Sequence, residues 1–272
     1  MKKYFSIAGY VIFYLFIVFA FSLGVQKIWF SGILPKAVYE RNYDLISFIS
    51  FVLVLAVFVL VFKLRGKNLI KTCNFSKLSI KNFLQVFAAG ILMGVFTCFL
   101  CNTSFVVENV PVFEQFLTFQ VNGYTSFIIF IPMIAITFAF EEIIFRGTIF
   151  NEIRSGVPVY PSILITTAIY GLINTYTMGA AIGLYASIAA LLYNLAYVYM
   201  RSIFAPIVLQ ISSIWVIAIT IKTGVWYKLR DQGDAFLAII LAVILVLILA
   251  IYYFIYMDSR KNGHVENNTI PV

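Results

Sequence analysis

Charge is scarce in this chain and histidine almost absent: of 272 residues, 11% are Asp, Glu, Lys or Arg, and one is histidine. A soluble domain is about a quarter charged, so a water-soluble globule is excluded. His264 stands near the C-terminal end, and three cysteines, Cys73, Cys98 and Cys101, are too few and too far from it to make a zinc set. Nor does the sequence alternate polar and apolar residues as an outer-membrane barrel would. Disorder is excluded by 62% hydrophobic residues, among them 28 Phe and 17 Tyr. What recurs instead is apolar runs near twenty residues, the length a helix rising about 1.5 Å per residue needs to cross about 30 Å of hydrocarbon. The expected class is an all-α, polytopic membrane protein.

The runs predict about eight transmembrane helices, over residues 5–25, 45–62, 83–101, 127–150, 163–177, 180–200, 203–221 and 235–256. The fifth is short enough to be a broken or re-entrant helix. Met1-Lys2-Lys3 followed by an apolar stretch to Val25 reads as a retained first span, because that core is longer than the usual 7–15 residues of a signal peptide. Residues 1–257 then form one transmembrane helical domain and residues 258–272 a polar cytoplasmic tail.

The charges sort by side. With Lys2 and Lys3 in the cytoplasm, twelve basic residues fall in inner segments against three acidic ones, while six of each sign fall outside. That bias predicts both termini inside. The net charge of +8 is therefore a topology signal and an attraction to anionic lipid at the cytoplasmic face, about 1 kcal/mol per surface cation, rather than a nucleic-acid surface.

Several features have ordinary explanations. The three cysteines read as packing thiols. Gly90-x-x-x-Gly94 and Gly179-x-x-x-Gly183 put small residues one turn apart and predict close helix packing inside the protein. Asn102-Thr103-Ser104 fits a glycosylation sequon but abuts a span and carries no weight.

The informative stretch is Phe140-Glu141-Glu142-Ile143-Ile144-Phe145-Arg146-Gly147, which places three ionisable residues in apolar sequence. Unpartnered, the trio would cost on the order of 8–10 kcal/mol within a span. On a helix Glu142 and Arg146 are one turn apart, about 40° around the axis, and at an effective dielectric near 20 such a contact returns about 4 kcal/mol before desolvation. Glu141 points about 140° away from Arg146 and has no local partner. A carboxylate left in a poorly solvated site is suited to take a proton from water; as a plain structural feature, the trio would staple helices or sit at the interface.

These residues resemble the CPBP family, the type II CAAX-processing and bacteriocin-processing membrane peptidases also called Abi proteins: Glu141-Glu142-x-x-x-Arg146 fits its E-E-x-x-x-R signature, and the likeness covers about residues 125–220. The family's second motif, an aromatic residue followed four later by histidine, is matched by Tyr170-Gly171-Leu172-Ile173-Asn174. Its third, a histidine followed four later by Asn or Asp, falls on Gln210 and Ile214, after Ala205-Pro206-Ile207. Amides therefore stand at both histidine positions.

The resemblance implies that Glu141 activates water, that Asn174 orients it, that Gln210 supports the developing oxyanion, and that the Glu142–Arg146 pair fixes the helix; no cofactor or metal is implied. Loss of acid–base help typically costs 10²–10⁴ in rate, which leaves two readings open. One is a slow or active intramembrane endopeptidase acting on a membrane-associated peptide or protein. The other is a non-catalytic relative that binds a membrane partner as regulator, scaffold or immunity protein. A small transporter is a third reading, but no matching pair of Gly/Pro-broken segments supports it. Size, Ile/Phe/Lys usage and the resemblance point to a bacterial cytoplasmic membrane.

Overall fold

The computed structural model describes residues 2–30, 36–122 and 127–263. Among the described residues the chain is helical with no strand. In order, the helices are α1 (Lys2–Phe30), α2 (Lys36–Leu64), α3 (Leu69–Cys73), α4 (Ile80–Cys101), α5 (Ser104–Asn109), α6 (Pro111–Asn122) and α7 (Phe127–Glu142), which continues as a π-helical segment, Ile143–Phe150. There follow α8 (Asn151–Arg154), α9 (Val159–Met178), α10 (Ala180–Met200), α11 (Phe204–Lys222), α12 (Val225–Lys228), a 3₁₀ turn (Arg230–Gln232) and α13 (Asp234–Lys261).

Helices lie over all eight segments predicted as spans, and among the described residues five are long and apolar enough to cross a membrane: Lys3–Phe21 within α1, α4, α10, α11 and α13. Two of the other predicted spans have visible reasons for falling short. The fourth is regular only to Glu142 before it widens into the π segment, and α9 is diluted by Ser162, Thr166, Thr167, Asn174, Thr175 and Thr177. The helix α13 includes the first four residues of the segment 258–272 expected as a polar tail, running on to Lys261; residues 264–272, including His264, lie outside the described residues.

Contacts between connecting segments fall into two sets. At one end Arg65 donates two bonds to Glu152, of 2.8 and 2.9 Å, Asn74 Nδ2 donates to the Arg201 carbonyl at 2.5 Å, and Lys81 pairs with Asp258 at 2.6 Å. At the other, the Ser104 amide donates to Asp234 at 2.8 Å, and Arg230 reaches both Asn102 and Glu114. Every one of these contacts joins segments predicted to share a side. The sequon asparagine is among them: Asn102 is buried, donating to the Cys98 carbonyl and accepting from Arg230.

Packing follows the small residues. A Cβ on Gly90 would collide with the Ser212 side chain and the Leu209 carbonyl, and one on Gly94 with the Ser213 carbonyl, so α4 and α11 touch backbone to backbone as predicted. The second glycine pair divides its work. Gly183 packs against Thr175, but Gly179 meets nothing and instead takes a φ of +95° at the break between α9 and α10, a conformation that favours glycine. The expectation that both glycines serve packing is thus corrected for Gly179. All three cysteines are buried free thiols, and the Cys73 side chain fills the space that a Cβ at Gly147 would need.

Residues 102–122, read from sequence as an outer connection, carry α5 and α6, with Phe113, Leu117 and Val121 of α6 buried against α11 and its neighbours. The helix α6 covers one end of the bundle.

Candidate functional site

The site begins where α7 gives way to the π segment. Glu141 and Glu142 are adjacent, so their side chains leave the helix about 100° apart and enter different surroundings. Glu142 turns into the protein, fully buried, and accepts from Arg146 Nη1 at 2.9 Å. The predicted pairing across one turn is present. Arg146, equally buried, also donates from Nε to Asn194 Oδ1 of α10 at 3.1 Å and from Nη2 to the Ala190 carbonyl at 3.3 Å. Its guanidinium carbon lies 5.1 Å from the Tyr170 ring centre and 5.2 Å from that of Tyr193, within cation–π range. Asn194 is itself held, donating to Thr167 Oγ1 at 3.1 Å.

The π segment sets this geometry. Its wider turns recur at functional sites because they re-aim side chains without breaking the helix. Here the segment faces Gly147 to Cys73, and just beyond it Asn151, the first residue of α8, donates from Nδ2 to the Thr72 carbonyl at 2.7 Å and to the Tyr197 hydroxyl at 2.7 Å. The segment is therefore fastened on two sides, by α3 and by α10.

Glu141 is half-buried and turns the other way, into a cavity of about 190 Å³ walled by α6, α7, α9, α10 and α11. Among the described residues it has no ion pair. Its Oε1 accepts from the Tyr170 hydroxyl at 2.5 Å and its Oε2 from Gln210 Nε2 at 3.1 Å. Gln210 is buried, and its Oε1 has no hydrogen-bond partner among the described residues. Asn174 lines the same cavity, but its Nδ2 donates to the Tyr170 carbonyl one turn back, at 2.9 Å, rather than to Glu141. Much of the remaining wall is aromatic, with Phe116, Phe138, Tyr185 and Tyr193, and Ser213 adds a hydroxyl.

All five residues singled out from the sequence thus fall at one locus. Glu141, Asn174 and Gln210 line the cavity, while Glu142 and Arg146 form the buried pair behind it. Two participants were not singled out. Tyr170 had been read only as an aromatic ring, and its hydroxyl is the shortest contact to Glu141; Asn194 is an intramembrane amide whose sequence surroundings carry no motif. A buried asparagine in an apolar helix needs partners, and that was the available signal. No group of three His, Cys, Asp or Glu side chains converges among the described residues.

Residues 123–216 match a family model described as type II CAAX prenyl endopeptidase, Rce1-like. Over this segment the chain is similar to the CPBP family, as the motif resemblance indicates, and all five site residues lie within it. Searches of curated proteins and of solved structures found no match.

Proposed function

We propose that this chain is an intramembrane endopeptidase of the CAAX-processing type in which Glu141 activates a water molecule against a peptide carbonyl of a membrane-associated substrate. One observation carries the reading: a carboxylate without an ion pair among the described residues stands at the wall of a partly enclosed cavity between five helices, held by two neutral donors. A cavity of about 190 Å³ exceeds the ~30 Å³ a water occupies in the liquid, so water and a reacting group fit together beside Glu141. Tyr170 and Gln210 each use one donor on the carboxylate and so fix its orientation, which is what a base must have before it can abstract a proton in one direction.

The other roles follow from donor capacity. The second N–H of the Gln210 amide and the Asn174 amide are the groups available to an oxyanion or to the attacking water. The Glu142–Arg146 pair anchors the π segment. The chain crosses the membrane eight times in this proposal, with the end that carries Arg65, Glu152, Lys81 and Asp258 in the cytoplasm beside anionic lipid, and the membrane is a bacterial cytoplasmic one.

A second reading has its own observation. Among the described residues no imidazole faces Glu141, and Asn174 turns its amide to a backbone carbonyl, an arrangement that suits a cavity binding a membrane partner without cleaving it. One comparison separates the two: newly formed peptide termini in membranes holding wild type or Glu141→Gln. Endopeptidase activity predicts termini that fall 10²–10⁴-fold in the variant. Identical terminus sets, with the same membrane proteins co-purifying, would exclude the peptidase and leave the binding role.

A further inference from the structure

Away from the cavity, the molecule has a second concavity at the end where Arg65 meets Glu152. It is an open apolar groove of about 440 Å³ lined by Lys77, Leu78, Ile80, Phe83, Phe204 and Val208. The groove lies between the start of α4 and the start of α11, and it is built rather than incidental. The linker that carries Lys77 is pinned to the turn between α10 and α11: Asn74 Nδ2 and Ser76 Oγ both donate to the Arg201 carbonyl at 2.5 Å, and the Ile203 amide donates to the Asn74 carbonyl at 3.1 Å. Phe75 and Phe204 meet edge to face with centroids 5.6 Å apart. Arg201 takes a left-handed φ of 47° at this turn, so the chain holds a strained residue to keep the two walls in register.

The chemistry of the groove is one-sided. Its walls are apolar and its lip is a cation. Lys77 has no ion pair among the described residues, whereas Lys81, at the start of α4, is neutralised by Asp258 at 2.6 Å, and Arg65 is matched by Glu152. Ile80 is 81% exposed and Phe83 42%, so both meet hydrocarbon in a membrane. A ligand that complements this surface is an acyl chain ending in an anion.

We infer that this groove is a seat for an anionic phospholipid, with an acyl chain against Phe83, Phe204 and Val208 and the phosphate at Lys77. The free cation sets the preference for charge, and the pinned linker keeps the seat open without a lipid in place.

The test uses the full-length protein reconstituted in nanodiscs of equal phosphatidylglycerol and phosphatidylcholine, released into detergent and weighed with its retained lipid by native mass spectrometry. One cation near a membrane surface corresponds to a preference of about fivefold for the anionic lipid. Wild type and Lys77→Arg should show that preference, and Lys77→Gln should lose it. Val208→Trp, which fills the groove, should lower retention of both lipids. Lys71→Gln, which removes an exposed cation of the same face outside the groove, should leave the preference unchanged. A preference that survives Lys77→Gln, or that Lys71→Gln reduces equally, would show a diffuse attraction to the whole basic face and overturn the proposal. Wild-type retention by Val208→Trp would do so as well.

Discussion

Removing one member of the Glu142–Arg146 pair should damage the protein far more than removing both. In Arg146→Leu the Glu142 carboxylate stays in a fully buried position, and its Oε1 loses the partner at 2.9 Å while its Oε2 has none among the described residues. Stranding a buried charge in this way costs about 3–5 kcal/mol. Glu142→Leu strands the guanidinium instead, but Asn194, the Ala190 carbonyl and the faces of Tyr170 and Tyr193 still surround it, so the expected cost is nearer 2–3 kcal/mol. In the double variant neither charge remains, Asn194 keeps Thr167, and the cost should be about 1–2 kcal/mol. The coupling is then about 4–6 kcal/mol. It is measured by reversible unfolding in mixed micelles of rising dodecyl sulfate, followed by tryptophan fluorescence, with all four proteins in one cycle. Costs that simply add, leaving a coupling under about 0.5 kcal/mol, would refute the assignment of this pair as mutually dependent charges.

Two further outcomes follow from the packing. Gly90→Val should cost about 1–3 kcal/mol in the same titration, because its side chain meets the Leu209 carbonyl, whereas Gly9→Ala, with open space around it inside α1, should cost nothing and gain up to about 1 kcal/mol. Burial pushes the Cys73 thiol up from an ordinary value of 9.0 to about 12, so a maleimide at pH 7.5 should label it only on unfolding. Because the folded state holds that thiol neutral, its contribution to stability is complete below pH 9 and is lost as pH rises toward 12; rapid labelling of folded protein would contradict this.

What could be read from the sequence was set by local spacing. Glu142 and Arg146 meet because residues one turn apart share a helix face whatever surrounds them, and Gly90 and Gly94 behave as small residues one turn apart do. The gathering of Glu141, Asn174 and Gln210 required the family resemblance, since nothing in their spacing of 33 and 36 residues implies contact. Three things stayed hidden. The π segment packs Gly147 against Cys73 of α3, and Asn151 just beyond it bonds to Thr72, contacts that are tertiary and leave no mark in local spacing. The hydrogen bond from Tyr170 depends on where α9 stands relative to α7. The helix α6 is short and broken from its neighbours by Val110-Pro111, and its buried face has meaning only once α11 is there to cover it.

The division of labour between the two glutamates has a consequence for stability. If Glu142 answers the Arg146 charge and Glu141 serves the cavity, then neutralising Glu141 should cost little. In Glu141→Gln the new amide oxygen still accepts from the Tyr170 hydroxyl, and its N–H₂ meets the Gln210 Nε2; turning the Gln210 amide brings its Oε1, which lacks a partner among the described residues, to this place and restores the second bond. The net loss is one charge-assisted contact exchanged for a neutral one, about 1 kcal/mol. Arg146→Leu, at about 3–5 kcal/mol, is the internal standard. A Glu141→Gln variant that unfolds as readily as Arg146→Leu would mean that Glu141 holds the helices together, and a carboxylate committed to that task is not free to serve as a base.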